Sequence, residues 1–303
     1  MRSWREVAAL TVASLLLQGG CRREPAGEGG GARGGTIEVR ALLDEGRFEE
    51  VISRLGEAHD PESLCLLGRA WAGRARSAPV PTPPAGAGPE EAPLKTEEMR
   101  ALGLLERAVA ERPNLAEAHL AIAELLAPHA LGRSKALRSG GTVTPVSPPA
   151  PDTSVERVLR SLSNAAEADP AGTAAAEALV EFATHAGRLK EADAAYQELI
   201  RRRREDPNLL VRYGDFLAGP RGDPEAALSQ YSQALIWRPR DEGTRGKVAG
   251  IHLDAAAAAL RAQGYALAEA RLREAQRFAT EANPEVFARL RELESRLREI
   301  RGR

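Results

Sequence analysis

The stretch Pro207 to Arg240, PNLLVRYGDFLAGPRGDPEAALSQYSQALIWRPR, constrains the fold more than any other part of the chain. Leu210, Tyr213, Gly214 and Leu217 recur at helical spacing, with a glycine where a neighbouring helix must come close. A Gly/Pro turn follows, then Ala227, Tyr231 and Ala234 on one face, and Pro239 stops the second helix. Two short antiparallel helices of this kind cannot bury their apolar faces alone. They must stack on further pairs, and the chain supplies them.

Ala176, Leu179, Val180 and Ala183 precede a turn at Gly187 and then Ala192, Tyr196 and Leu199. His119, Ile122, Ala123 and Leu126 are followed, after an interruption, by Val158, Leu162 and Ala165. Leu64, Leu67, Gly68 and Trp71 are followed, again after an interruption, by Ala101, Leu105 and Ala108. Val248, Ala249 and His252 precede Gly264, Ala268, Leu272 and Ala275, and a shorter first pair is marked by Gly46, Phe48, Val51 and Leu55. The order of large, small, large, then small, aromatic, small, proline resembles the tetratricopeptide repeat, whose period is roughly 34 residues. The resemblance implies an all-α, right-handed superhelical solenoid of five to six antiparallel helix pairs over residues 36–284. Composition agrees with it. With 43% hydrophobic but only 4% aromatic residues, thin alanine-lined pairs suit the chain better than one thick core.

Residues 1–20 have the form of a secretory signal: Arg2 and Arg5, an apolar run from Val7 to Leu17 too short to span a bilayer, then Gln18, Gly19 and Gly20. LQGGC resembles a bacterial lipobox, although Leu17 stands four places before the cysteine rather than three. That resemblance implies lipidation at Cys21 and a periplasm-facing protein anchored at the bacterial cell envelope. Arg22, where an aspartate would favour inner-membrane retention, leans towards the outer membrane. An ordinary signal peptide with an incidental cysteine is the alternative. Residues 21–35, rich in glycine and poor in apolar side chains, read as a flexible tether.

Two Pro-rich interruptions, 75–95 and 131–152, fall between first and second helices and offer little to bury. They read as tolerated decoration or as a partner-binding fringe. After Pro284, residues 285–303 carry Val286, Leu290, Leu293, Leu297 and Ile300 at alternating spacings of four and three. This reads as a helix that caps the last repeat, with the seam of a dimer as the alternative.

No catalytic constellation emerges. The five histidines, His59, His119, His129, His185 and His252, are scattered without metal-ligand spacing, and His119 and His252 stand where the repeat wants a packing residue. GTRGKV at Gly243 to Val248 lacks the phosphate-loop spacing. Cys65 reads as a small buried apolar residue, with no disulfide expected. No cofactor, metal or enzymatic activity is expected. The near balance of 42 basic and 43 acidic residues gives no case for nucleic acid.

By resemblance to the family, the first helices line the inner face. Glu62, Arg69, Glu117, Glu124, Glu177, Glu181 and Asp215 would stand on it and make it mostly acidic. Such a face suits a neutral or basic partner segment, or is merely solvated. The expected role is a monomeric scaffold or assembly factor that holds other envelope proteins near the membrane. The alternatives are an accessory or cofactor-binding helical subunit of an envelope enzyme and a dimeric tethered sensor.

Overall fold

The computed structural model describes residues 32–77, 94–138 and 155–301. The signal segment, Cys21 and most of both Pro-rich interruptions lie outside the described residues. Among those described there are thirteen helices and no strand. In chain order they are α1 (Ala32–Asp44), α2 (Phe48–Leu55), α3 (Pro61–Ser77), α4 (Thr96–Glu111), α5 (Ala116–Arg138), α6 (Val155–Ala168) and α7 (Ala174–Ala186). Then come α8 (Leu189–Arg202), α9 (Pro207–Ala218), α10 (Pro224–Trp237), α11 (Glu242–Arg261), α12 (Tyr265–Phe278) and α13 (Pro284–Arg301). Six successive pairs and a final helix thus match the expected number. No described helix is long and apolar enough to cross a membrane.

The chain forms two compact units, residues 1–195 and 196–303. In the first, each helix from α1 to α7 packs on the next, and the first helices also pack on one another, α1 on α3, α3 on α5 and α5 on α7. The second repeats this with α9 to α13, where α11 also meets α13. The pairs are antiparallel, as contacts across their open ends show. Arg112, just after α4, donates to Glu62 at the start of α3 at 2.7 Å, and Arg238, just after α10, donates to Asn208 at the start of α9 at 2.8 Å. Asn283, beyond α12, donates to the carbonyl of Glu242 at the start of α11 at 2.8 Å.

Small residues let the partners of a pair come close. A Cβ placed on Gly68 would lie 2.8 Å from the Leu105 side chain, and one on Gly214 would lie 2.4 Å from the Tyr231 ring. Each glycine therefore marks a helix crossing rather than a flexible point. Tyr231 is buried, and its hydroxyl donates to Asp215 at 2.7 Å. Tyr196, Tyr213 and Phe216 form a cluster beside it, with ring centroids 5.0 Å apart for Tyr196 and Tyr213 and 5.2 Å apart for Tyr196 and Phe216.

Helix ends follow local chemistry. Prolines read from the sequence as stops also start helices. Pro61, Pro207, Pro224 and Pro284 each occupy the first helical position, where the missing N–H costs nothing. The aspartate before three of them accepts from the first turn, Asp60 from the Ser63 amide, Asp206 from the Asn208 and Leu209 amides, and Asp223 from the Ala226 amide. At C-terminal ends, Gly46 and Gly187 turn left-handed at φ 75°, and the following amides, Arg47 and Arg188, reach back to Leu42 and Ala183. The same closure follows α11, where the Gly264 amide reaches back to Ala259. Gln263 takes the left-handed place at φ 59°, and Gly264 is instead the N-cap of α12.

Helix limits also differ from expectation. α1 starts at Ala32, inside the stretch read as tether. α3 continues to Ser77 with Ala75 fully buried, and α5 continues through Pro128 to Arg138. Alanine and leucine carry these helices further than the Pro-rich composition downstream implies. The C-terminal stripe is consumed internally. Leu290, Leu293 and Leu297 are buried in a cluster with Leu253, Leu260 and Leu272, and Val286 and Ile300 pack against it. α13 is therefore a cap, and the apolar seam that a dimer would use is already covered.

Two stability measurements test this packing. Gly214→Leu is expected to lose about 1–3 kcal/mol in urea unfolding, because the added side chain must displace the Tyr231 ring. Gln263→Gly is expected to gain about 0.5–1 kcal/mol by relieving the left-handed backbone.

Candidate functional site

In the first unit, the packing of α1, α3 and α5 on one another brings their charged residues onto one surface. Arg69 and Arg76 lie two turns apart on α3, as Glu117 and Glu124 do on α5. Arg40 on α1 crosses to Glu117 with an ion pair at 2.8 Å. The charges of Arg69, Glu117, Arg40 and Glu124 all reach the Cys65 thiol, so the five residues are neighbours. Burial pushes that thiol up to about 12, which keeps it protonated and unreactive. Cys65 is, as expected, a small buried packing residue.

Glu124 makes no salt bridge with a described residue. Desolvation raises its carboxyl above the ordinary carboxylate value, while the charges of Arg76 and Arg69 pull it back. Arg76 itself is exposed. Across these three helices the strip therefore carries both signs, basic from α1 and α3 and acidic from α5. The sequence reading missed Arg40, because the first pair was begun only at Gly46. It missed Arg76 because that residue fell inside the stretch assigned to an insertion, although it lies seven residues after Arg69.

The remaining expected residues are placed differently. Glu62 is turned across the open end of its hairpin to Arg112. Glu177 and Glu181 lie one turn apart on α7, which packs on α5, and both are already engaged by neighbours. Asp215 belongs to the second unit. Besides accepting from Tyr231, it receives Lys247 Nζ at 2.6 Å on both carboxylate oxygens, which joins α9 to α11. It holds helices together rather than presenting a free charge. Its burden is shared, since desolvation and then Asp215 raise the Tyr231 hydroxyl above its ordinary value and keep it a donor.

The histidines serve packing or the surface. His119 is buried, and its Nε2 lies 2.8 Å from the Pro113 carbonyl, so that nitrogen carries the hydrogen. His252 is buried beside Arg271, whose Nη1 lies 3.5 Å from its Nδ1. Burial first, and Arg271 second, lower its pKa from the ordinary 6.5, against weaker opposing effects of Glu274 and Glu225. Among the described residues no group of three His, Cys, Asp or Glu could hold a metal ion.

No protein-family model and no curated protein matches the chain. Solved structures do. MamA from Desulfovibrio magneticus RS-1 is 18% identical, with 71% of this chain and 99% of that one aligned at a TM-score of 0.43. TTC0263, titled a thermophilic TPR protein of Thermus thermophilus, is 16% identical over 82% of this chain and 98% of that one, at 0.39. The human IFIT1 dimer with m7Gppp-AAAA is 15% identical over 86% and 54%, at 0.43. The fold description rests on the helix pairing described above, not on likenesses of this degree.

Neutral His252 gives a pH signature. The unfolded chain takes up a proton below its ordinary value of 6.5 that the folded state resists, so stability falls as pH drops through 6.5. The His252→Gln variant is expected to lose that part of the slope in urea titrations between pH 7.5 and about 5.

Proposed function

We propose that the protein is a non-catalytic scaffold that holds partner proteins along the surface built by the first helices. The observation that carries this is the strip formed by α1, α3 and α5, on which Arg40, Arg69 and Arg76 stand beside Glu117 and Glu124. A reaction centre would bring a nucleophile, a base and oriented donors to one point. Here the one nearby thiol is buried and protonated, and the charges are spread over three helices instead. Such a spread suits an extended partner segment bearing charges of both signs, read along its length. It replaces the purely basic or neutral partner that an acidic face would have called for.

The location follows from the N-terminal resemblance alone. Lipidation at Cys21 and a short tether would hold the helical units at the cell envelope and raise the local concentration of membrane-bound partners. Outer-membrane attachment is favoured by Arg22 after the cysteine.

Affinity capture from detergent-solubilised membranes tests the first part. Wild-type protein is expected to retain a defined set of chains that the exposed-site reversal Arg76→Glu releases by about tenfold in yield, with thermal unfolding unchanged. Recovery of the same set at equal yield counts against the strip. For the second part, Cys21→Ala is expected to shift the protein from the membrane to the soluble fraction. A mature chain that retains Met1 and carries no acyl group would reject the lipoprotein assignment.

A further inference from the structure

A different surface of the first unit lies over α3, between the second helices α2 and α4. There a cleft of about 770 Å³ opens, with Ile52 of α2, Leu67 and Trp71 of α3 and Leu104 of α4 as its apolar walls. It exists because α2 has only 8 residues, half the 16 of α4, and the chain turns away at Gly56 before covering α3. Arg100 and Arg107 stand on its α4 side, and Glu57 and His59 come from the loop after α2.

Three observations set this cleft apart. First, neither Arg100 nor Arg107 forms a salt bridge with a described residue, whereas Arg40, Arg54, Arg74 and Arg112 nearby all do. Arg74 and Arg100 both lie over the Trp71 ring, at 3.9 and 4.1 Å from its centroid, yet only Arg74 is answered by carboxylates, Glu49 and Glu97. Second, the two unanswered arginines are seven residues apart, about 10 Å along one helix face. Third, Gly103 lies between them in mid-helix, and a Cβ there would meet nothing within 4 Å. Glycine inside a helix costs stability relative to alanine, and no packing neighbour explains it. Gly250 shares that freedom, so the glycine tells only in combination with the arginines and the cleft.

We propose that this cleft docks an amphipathic helix of another protein, laid against α4, whose face mirrors the pattern Arg100, Gly103, Leu104, Arg107. Two carboxylates seven residues apart on that helix pair with Arg100 and Arg107. Two apolar side chains between them, three and four residues after the first carboxylate, enter over Gly103 towards Leu67 and Trp71. The absent side chain at Gly103 is what admits the partner's backbone to packing distance. The short α2 leaves the width that such a helix needs. This second docking surface is separate from the charged strip, and Arg76→Glu does not touch it.

The test uses the full chain in detergent and a fluorescein-labelled helical peptide carrying Glu-x-x-Leu-Leu-x-x-Glu, followed by fluorescence anisotropy. Saturable binding is expected, weakened by about tenfold or more in Arg100→Glu/Arg107→Glu. Gly103→Leu is expected to weaken it likewise with no fall in the thermal midpoint, since a Cβ there meets nothing within 4 Å and leucine favours a helix more than glycine. A peptide with lysine in place of both glutamates is expected to bind the reversed variant and not the wild type. The proposal is overturned if the wild type does not bind the glutamate peptide, binds both peptides alike, or is unaffected by Gly103→Leu. Equal competition by a short single-stranded RNA also overturns it, because the site would then read charge alone.

Discussion

Everything in this molecule depends on how closely two thin helices can approach. A pair of helices as short as these has too little apolar surface to be stable alone, so each gains stability only when it lies tightly against the next. Gly68 under Leu105 and Gly214 under Tyr231 set that distance, since in both places a single added carbon would already collide. The alanines buried along α4, α6, α10 and α12, among them Ala101, Ala108, Ala165, Ala227, Ala234, Ala268 and Ala275, extend the same close contact. The low aromatic content follows from it. Little room for rings remains between such helices.

Close packing of first helices on first helices has a functional consequence. It turns residues that are far apart in sequence into neighbours, as the 77-residue separation of Arg40 and Glu117 shows. Charges so assembled cannot all be free. Asp215 is used up in joining α9 to α10 through Tyr231 and to α11 through Lys247, and Glu62 in closing a hairpin. Glu117 is likewise paired with Arg40, whereas Arg69, Arg76 and Glu124 on α3 and α5 make no salt bridge with a described residue. The cleft beside α4 has a different origin. It is a defect in the second layer, left where α2 stops after two turns, and two arginines without carboxylate partners border it.

The repeat pattern was legible because it is local. Leu64, Leu67, Gly68 and Trp71 lie within two turns, and their partners Ala101, Leu105 and Ala108 keep the same spacing despite the long interruption between them. The C-terminal stripe was read as a cap because it is short, although Val286, Leu290, Leu293, Leu297 and Ile300 would also suit a helix from another source. The turn at Gln263 ran against the rule that glycine takes left-handed places. The helix above it simply ends one residue earlier than the nearby glycine invites.

From its residues alone, the chain determined that it would be helical, that its helices would pair, and which side of each would be buried, because those properties follow from spacings of three and four. The tertiary structure alone decided which charges survive for function. Ion pairs such as Arg40 with Glu117, or Lys247 with Asp215, depend on the approach of helices whose relative rotation no local spacing encodes. The sign of a surface is the sum over several helices at once. The charges read singly on the first helices thus acquired Arg40 and Arg76 as neighbours once the helices were in place.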